Sequence, residues 1–311
     1  MPTMGFDIAT LNPAYQGKIL KGQMGANKPL MEEMFGIEPT SQVSGEMPYI
    51  DSKFTTGSAH STTKTKIALD AEADSTDNAL SSAAFRIGGK YAKRGHVHKT
   101  AVEALAEKTK EKIVDVVAES AVVQVCQAID SDGSDYLKST TVDGVTVNNT
   151  YAATAVWSDK TNARPMSDLD ALFDGVGNAD IFVIGRNYAR ELAQLPAVTA
   201  AVTQWDGIDV RVSMGRLAGF IQDNWDVNSV YIGGKHWENT ANIQAAGSYT
   251  RIFDDCLWAG KKDHMMLNEM EDLRKFRVWT DEDTDTHYAE LVRYLTFARG
   301  ELKMGGRITG A

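Results

Sequence analysis

Residues 60–129 set a polar ribbon directly against one long helical pattern, and that junction constrains the fold more than any other feature. The ribbon ends Phe85-Arg86-Ile87-Gly88-Gly89-Lys90-Tyr91-Ala92-Lys93-Arg94-Gly95-His96-Val97. Residues 101–129 then run without a Gly or Pro. A ribbon this polar forms no core alone, and an isolated hairpin is marginal in water. Its cover is expected to come from outside the subunit's own core, which points to a chain that contacts copies of itself.

The helix opens on a capping-box pattern, Thr100 at the N-cap and Glu103 three residues into the helix. Val102, Leu105, Thr109, Ile113, Val116 and Val117 form an apolar stripe. Beyond Ala118 the pattern is apolar nearly all round, so one end should lie on a surface and the other enter a core. The expected length is roughly 40 Å. Asp130-Ser131-Asp132-Gly133-Ser134-Asp135 resembles the start of a calcium loop, but its Gly is misplaced and Thr141 stands where that loop needs Glu. An acidic turn after the helix is the preferred reading.

The ribbon reads as two β segments, 62–69 and 83–98, flanking an acidic tip at 70–77 and standing away from the core. The first 60 residues hold five of the seven prolines and half of the twelve methionines. Proline is excluded from helix interiors and central strands. The segment is therefore read as an extended arm with short helical turns, such as 29–35. Its apolar residues, Phe6, Ile8, Leu11 and Phe35 among them, suit an arm laid on another surface better than an irregular subdomain. Downstream, 142–145 reads as a hairpin turn, and Pro165 opens a helix that Gly175 or Gly177 stops. Residues 179–184 read as a buried strand, then Gly185 and a helix ended by Pro196. Further β segments are expected at 209–214, 230–232 and 249–258, with a closing hairpin of 276–279 and 288–297 around the acidic turn 281–285.

Chemistry is sparse along the chain. Net charge is −10, which argues against a dedicated nucleic-acid binder though not against a protein that encloses nucleic acid. The two cysteines, Cys126 and Cys256, suggest neither a disulfide framework nor a metal cluster, and a reducing cytoplasm is expected. The N-terminus lacks signal-peptide features, and the most apolar stretch, 121–129, is too short to span a bilayer. His96-Val97-His98 puts two imidazoles on one strand face without a third ligand nearby, so a solvated pair is preferred to a metal site. No phosphate loop, dinucleotide fingerprint or nucleophile elbow is found. No cofactor or metal is expected, and nothing local argues for an enzyme. Lys90, Lys93 and Arg94 could meet nucleic acid or an acidic surface of a neighbouring subunit. The second is preferred, because no aromatic platform beyond Tyr91 accompanies them.

Order and spacing supply a resemblance. Trp157-Ser158-Asp159 with Pro165…Asp168-Leu169, then Ile181-Phe182-Val183-Ile184-Gly185 with Leu192…Leu195-Pro196-Ala197-Val198, then Arg277-Val278-Trp279-Thr280-Asp281-Glu282 with Arg293-Tyr294, carry it over about 91–311. The chain resembles the major capsid proteins of tailed double-stranded-DNA bacteriophages, the Hong Kong ninety-seven capsid fold. That likeness implies an α+β fold with an N-terminal arm (1–55), an extended β loop (56–98), a peripheral domain built on the long spine helix (99–177 and 263–311) and an axial domain (178–262). It implies a non-enzymatic subunit of the virion, assembled in the host cytoplasm into pentamers and hexamers of an icosahedral shell around packaged DNA, without sequence-specific DNA binding and without a membrane. Separate scaffolding, portal and decoration proteins are the further partners it allows; with no charged pro-segment before the arm, any scaffold is expected to be a separate protein. Lys90, Lys93, Arg94, Phe6, Ile8, Leu11 and Phe35 are the candidate subunit-interface residues. The alternatives are an encapsulin-like compartment shell and a soluble α/β enzyme with a dispersed site.

Overall fold

The long helical pattern becomes a 32-residue helix, and the sheets are arranged along it. A computed structural model describes residues 27–50, 80–100, 107–142, 145–146, 148–177, 179–206, 212–234, 237–239, 249–299 and 305–311. The order begins α1 (Leu30–Phe35), β1 (Glu38–Pro39), β2 (Ser44–Ile50), β3 (Leu80–Arg86), β4 (Tyr91–His98) and the long helix α2 (Glu107–Lys138). It continues β5 (Thr141–Val142), β6 (Val145–Thr146), β7 (Asn148–Ala152), α3 (Pro165–Val176), β8 (Ile181–Ile184), α4 (Arg186–Gln194), α5 (Pro196–Asp206) and α6 (Met214–Trp225). It ends β9 (Ser229–Ile232), β10 (Trp237–Asn239), β11 (Tyr249–Arg251), β12 (Leu257–Gly260), β13 (Met265–Glu269), β14 (Lys275–Asp281), β15 (Thr286–Arg293), β16 (Leu295–Arg299) and β17 (Gly305–Thr309).

A five-stranded mixed sheet, in the order β7-β17-β12-β8-β9, lies between two helical layers. Its interior strand β8 is buried at every position, the continuous apolar run expected of a strand covered on both faces. Ile181 and Val183 pack with α1 and α2, while Phe182 and Ile184 pack with α3, α4, α5 and α6. A three-stranded sheet, β14-β15-β4, lies on α2 through Val278 and Ala289, which meet Val117, Ala118 and Ala121.

The described part of α2 ends later than expected, and the reason is tertiary. The segment 130–135, read as an acidic turn, is helical through to Lys138. The Asp130 carboxylate is fully buried and accepts the Met31 backbone N–H (3.1 Å). The Ser134 hydroxyl donates to the Ile252 carbonyl (2.9 Å). Gly133 leaves room for Met31, since an added Cβ would sit 2.6 Å from its Sδ and 2.8 Å from its Cε. Buried Asn148 closes the helix end. Its amide nitrogen reaches the carbonyls of Tyr136, Leu137 and Ser139 (3.3, 3.2 and 2.8 Å), and its amide oxygen accepts the Trp258 indole N–H (2.9 Å). The opening box at 100–103 lies partly outside the described residues.

The arm reading needs correction at α1. Leu30, Met31, Met34 and Phe35 are buried in the subunit's own main core, and Phe35 meets Trp258 edge-on at 5.8 Å. An ionic clamp holds the same turn. Fully buried Arg293 bonds Glu269 (2.7 and 2.8 Å) and Glu32 (3.2 Å), and Arg274 also bonds Glu269. Burial pushes the Glu269 carboxyl up, but the hydrogen bonds and charges of Arg293 and Arg274 outweigh it and hold the group below its usual range.

The ribbon is also divided differently. Residues 83–98 break at 87–90 into β3 and β4. β3 pairs antiparallel with β2 from the proline-rich segment, where Pro48 opposite Ser82 is tolerated because the sheet has two strands and hence only edges. Residues 62–79, with the expected first β segment and acidic tip, lie outside the described residues. β4 does not stand away from the core. It pairs with β15 and lies on α2, because Gly95 lets the backbones approach; a Cβ there would meet the Val117 carbonyl at 2.5 Å.

Several local readings hold. Val142 pairs with Val145, Pro165 is the first residue of α3, and Gly177 caps its end at φ 62°. Gly185 separates β8 from α4. α4 ends before Pro196 as expected, although Pro196 then opens α5, an unexpected helix. Two readings do not hold. Met214, expected in a strand, starts α6, with the Ser213 hydroxyl accepting the Arg216 N–H (3.3 Å). The stretch 249–258 divides into β11 and β12 around the turn at 252–255. Among the described residues no helix is long and apolar enough to cross a membrane.

Candidate subunit-contact surface

The three-stranded sheet turns one face to α2 and leaves the other outward. Its register aligns Arg277, Glu290 and Arg94 in one row and Trp279, Tyr288 and His96 in the next. Side chains alternate across a strand, so these rows share the face opposite Val278, Ala289 and Gly95. The Glu290 carboxylate accepts from Arg277 Nε (2.6 Å) and from Arg94 (3.4 Å). Trp279 and Tyr288 stack at 5.3 Å with their planes 20° apart. The Arg94 guanidinium lies 5.0 Å from the Trp279 ring centre and 5.4 Å from that of Tyr288, and the Arg277 guanidinium lies 4.9 Å from Trp279. Partial burial pushes the Glu290 carboxyl up; the Arg277 hydrogen bond and the charges of Arg277 and Arg94 prevail and hold it below its usual range. Both arginine side chains stay half-exposed or more, at 50% and 63%.

The structure separates the candidate interface residues. Arg94 sits in the outward row, where it bonds Glu290 of its own chain, 196 residues away. Lys93 lies on the opposite strand face from Arg94, and Lys90 lies exposed in the 87–90 link. Tyr91 shares the face of Lys93 and donates to Asp132 of α2 (2.6 Å). Phe35 is core, and Phe6, Ile8 and Leu11 fall outside the described residues. Sequence reasoning missed Arg277, Trp279, Tyr288 and Glu290. The signal was present as matched two-residue spacings, 277/279 and 288/290, in an expected hairpin. The aromatic neighbours of Arg94 were missed for the same reason: they come from the C-terminal strands.

His96 and His98 share this face, with ring centres 6.2 Å apart, and His98 Nδ1 is 3.0 Å from the Thr286 hydroxyl. Among the described residues no group of three or more His, Cys, Asp or Glu side chains converges as a metal site. Cys126 and Cys256 are buried, and desolvation pushes both thiols up to about 12.

No protein-family model matches the chain, and no curated protein matches it in sequence. Solved structures match nearly its whole length. A phage-related protein from Bordetella bronchiseptica RB50 shares 12% identity over 97% of this chain and 98% of its own, with a TM-score of 0.63. A virus-like particle from Pyrococcus furiosus shares 9% over 94% and 96%, at 0.56. A structure from Microbacterium phage Oxtober96 shares 15% over 90% of each chain, at 0.55. The fold is of the Hong Kong ninety-seven type. At such identities the Hong Kong ninety-seven-type likeness carries the path of the backbone and no residue roles. It agrees with the α+β architecture and the long central helix described above.

Proposed function

We propose that this chain is a structural, non-enzymatic capsid subunit that self-assembles into a closed icosahedral shell around double-stranded DNA. The observation that carries the reading is the fold likeness, which spans 94% of this chain in the match to a virus-like particle. The outward Arg and aromatic face, of the residue types that dominate protein–protein contacts, supports it. In this reading residues 99–177 with 263–311 form a peripheral domain and 178–262 an axial domain, α1 and β4 belong to the subunit's own body, and subunits meet as pentamers and hexamers in the virion. The five-stranded sheet draws strands from both of the last two domains, so they would move as neighbours joined through hydrogen bonds. Scaffolding, portal and decoration proteins are the partners such a shell would take.

A compartment shell with protein cargo is the second reading, favoured by the likeness to the Pyrococcus furiosus particle. Size-exclusion chromatography with light scattering, followed by negative-stain microscopy, tests both. Closed shells or capsomers are expected. Enclosed DNA supports the virion and enclosed enzyme the compartment. A strict monomer at high concentration, in low and high salt and with a scaffold supplied, overturns both and returns the chain to the soluble-enzyme alternative.

A further inference from the structure

Resting on that reading and deepening it, we infer that the outward face of the β14-β15-β4 sheet is a carboxylate-recognition surface for the acidic hairpin turn, 281–285, of a second copy. The face carries Lys275, Arg277 and Arg94 against Glu290 and, at the turn end of β14, Asp281, a balance of three positive charges minus two, or +1, in a chain of net charge −10. The turn places Asp281, Glu282, Asp283 and Asp285 within five residues, and Glu282, Asp283 and Asp285 are exposed. Among the described residues this is the densest exposed run of carboxylates.

The aromatic geometry favours a carboxylate over a nucleic-acid base. Base recognition needs a free ring face. Here Trp279 and Tyr288 already stack on each other, and two guanidiniums lie over Trp279. A guanidinium laid on a ring keeps its N–H edge clear of the ring, and Arg94, which bonds Glu290 through Nη2 alone, keeps further N–H groups for an incoming carboxylate. Arg, Trp and Tyr are also the residues that dominate protein–protein hot spots. The turn and the face belong to one hairpin, so a turn seated on the next copy's face is a head-to-tail contact, the kind that closes rings.

The test compares four full-length proteins by light scattering across a concentration series, with circular dichroism as a control for folding. The turn variant is Glu282→Lys with Asp283→Lys. The face variant is Arg94→Glu, Glu290→Lys and Arg277→Glu, which keeps the internal ion-pair row in reversed sense. The fourth protein combines all five changes. Each single-region variant is expected to raise the concentration for half-assembly roughly tenfold or more, and the combination to restore much of it. Unchanged assembly of both variants beside an assembling wild type overturns the inference and leaves the capsid reading intact. A wild type that never assembles removes the capsid reading itself. A normal turn variant beside a face variant that loses filter-retained single-stranded DNA overturns the inference in favour of nucleic acid.

Discussion

Gly133→Ala should reverse sign with its neighbour. In an exposed helix interior the change gains about 1 kcal/mol from backbone entropy. Gly133 is buried in α2, and an added methyl would meet Met31 Sδ at 2.6 Å and Cε at 2.8 Å, with Cγ closer still. Met31 cannot withdraw, because it is fully buried and its backbone N–H is bonded to Asp130. Overpacking of this kind costs about 1–3 kcal/mol. The substitution also has to preserve a helix whose late end is held by these same contacts. The net expectation is destabilisation by about 1 kcal/mol, with a range of roughly 0–2 once the propensity gain is subtracted. Met31→Ala alone should cost about 2–5 kcal/mol. On that background Gly133→Ala has room, and the propensity gain should emerge as stabilisation of about 1 kcal/mol. Urea unfolding followed by tryptophan fluorescence measures all four corners of the cycle. A stabilising Gly133→Ala in the wild-type background, or a cycle without coupling, would refute the packing account of why α2 runs through the acidic segment.

Arg293→Met should cost about 3–5 kcal/mol by leaving Glu269 buried beside Arg274 alone, whereas Arg293→Met with Glu269→Met should cost clearly less; equal losses in urea titrations would discount the clamp. Because the folded-state carboxyl of Glu269 lies below its ordinary 4.5, its contribution is full above that value and is lost as pH falls through the lower folded value, so stability should decline on acidification below about pH 4.5 in the wild type and less steeply in Glu269→Gln. Deleting residues 1–48 should unfold the subunit or leave it molten by near-ultraviolet circular dichroism, since it removes Leu30, Met31, Met34 and Phe35 from the main core; a native-like spectrum would return α1 to the arm. Both thiols should resist iodoacetamide at pH 8 and react once urea unfolds the chain; rapid alkylation of either in the native protein would contradict their burial.

Patterns that repeat within a turn or a strand were legible in the sequence. Proline at the first position and glycine past the last bounded α3, because both act through their own dihedral angles. The apolar run 181–184 declared a strand covered on two faces. The order of elements was enough to expect the Hong Kong ninety-seven-type fold, since α+β order survives where residue identity does not. Tertiary structure alone decided the partners. Asp130 reads as part of a solvated turn until its carboxylate meets a backbone N–H 99 residues earlier, and nothing local to Arg94 announces that β15 sets Glu290 beside it from 196 residues away. Polar groups look solvated in a sequence because local composition records their charge and not their burial. Their true environment is set by chain closure over long separations, where one hydrogen bond to a buried group outweighs the local preference for a turn.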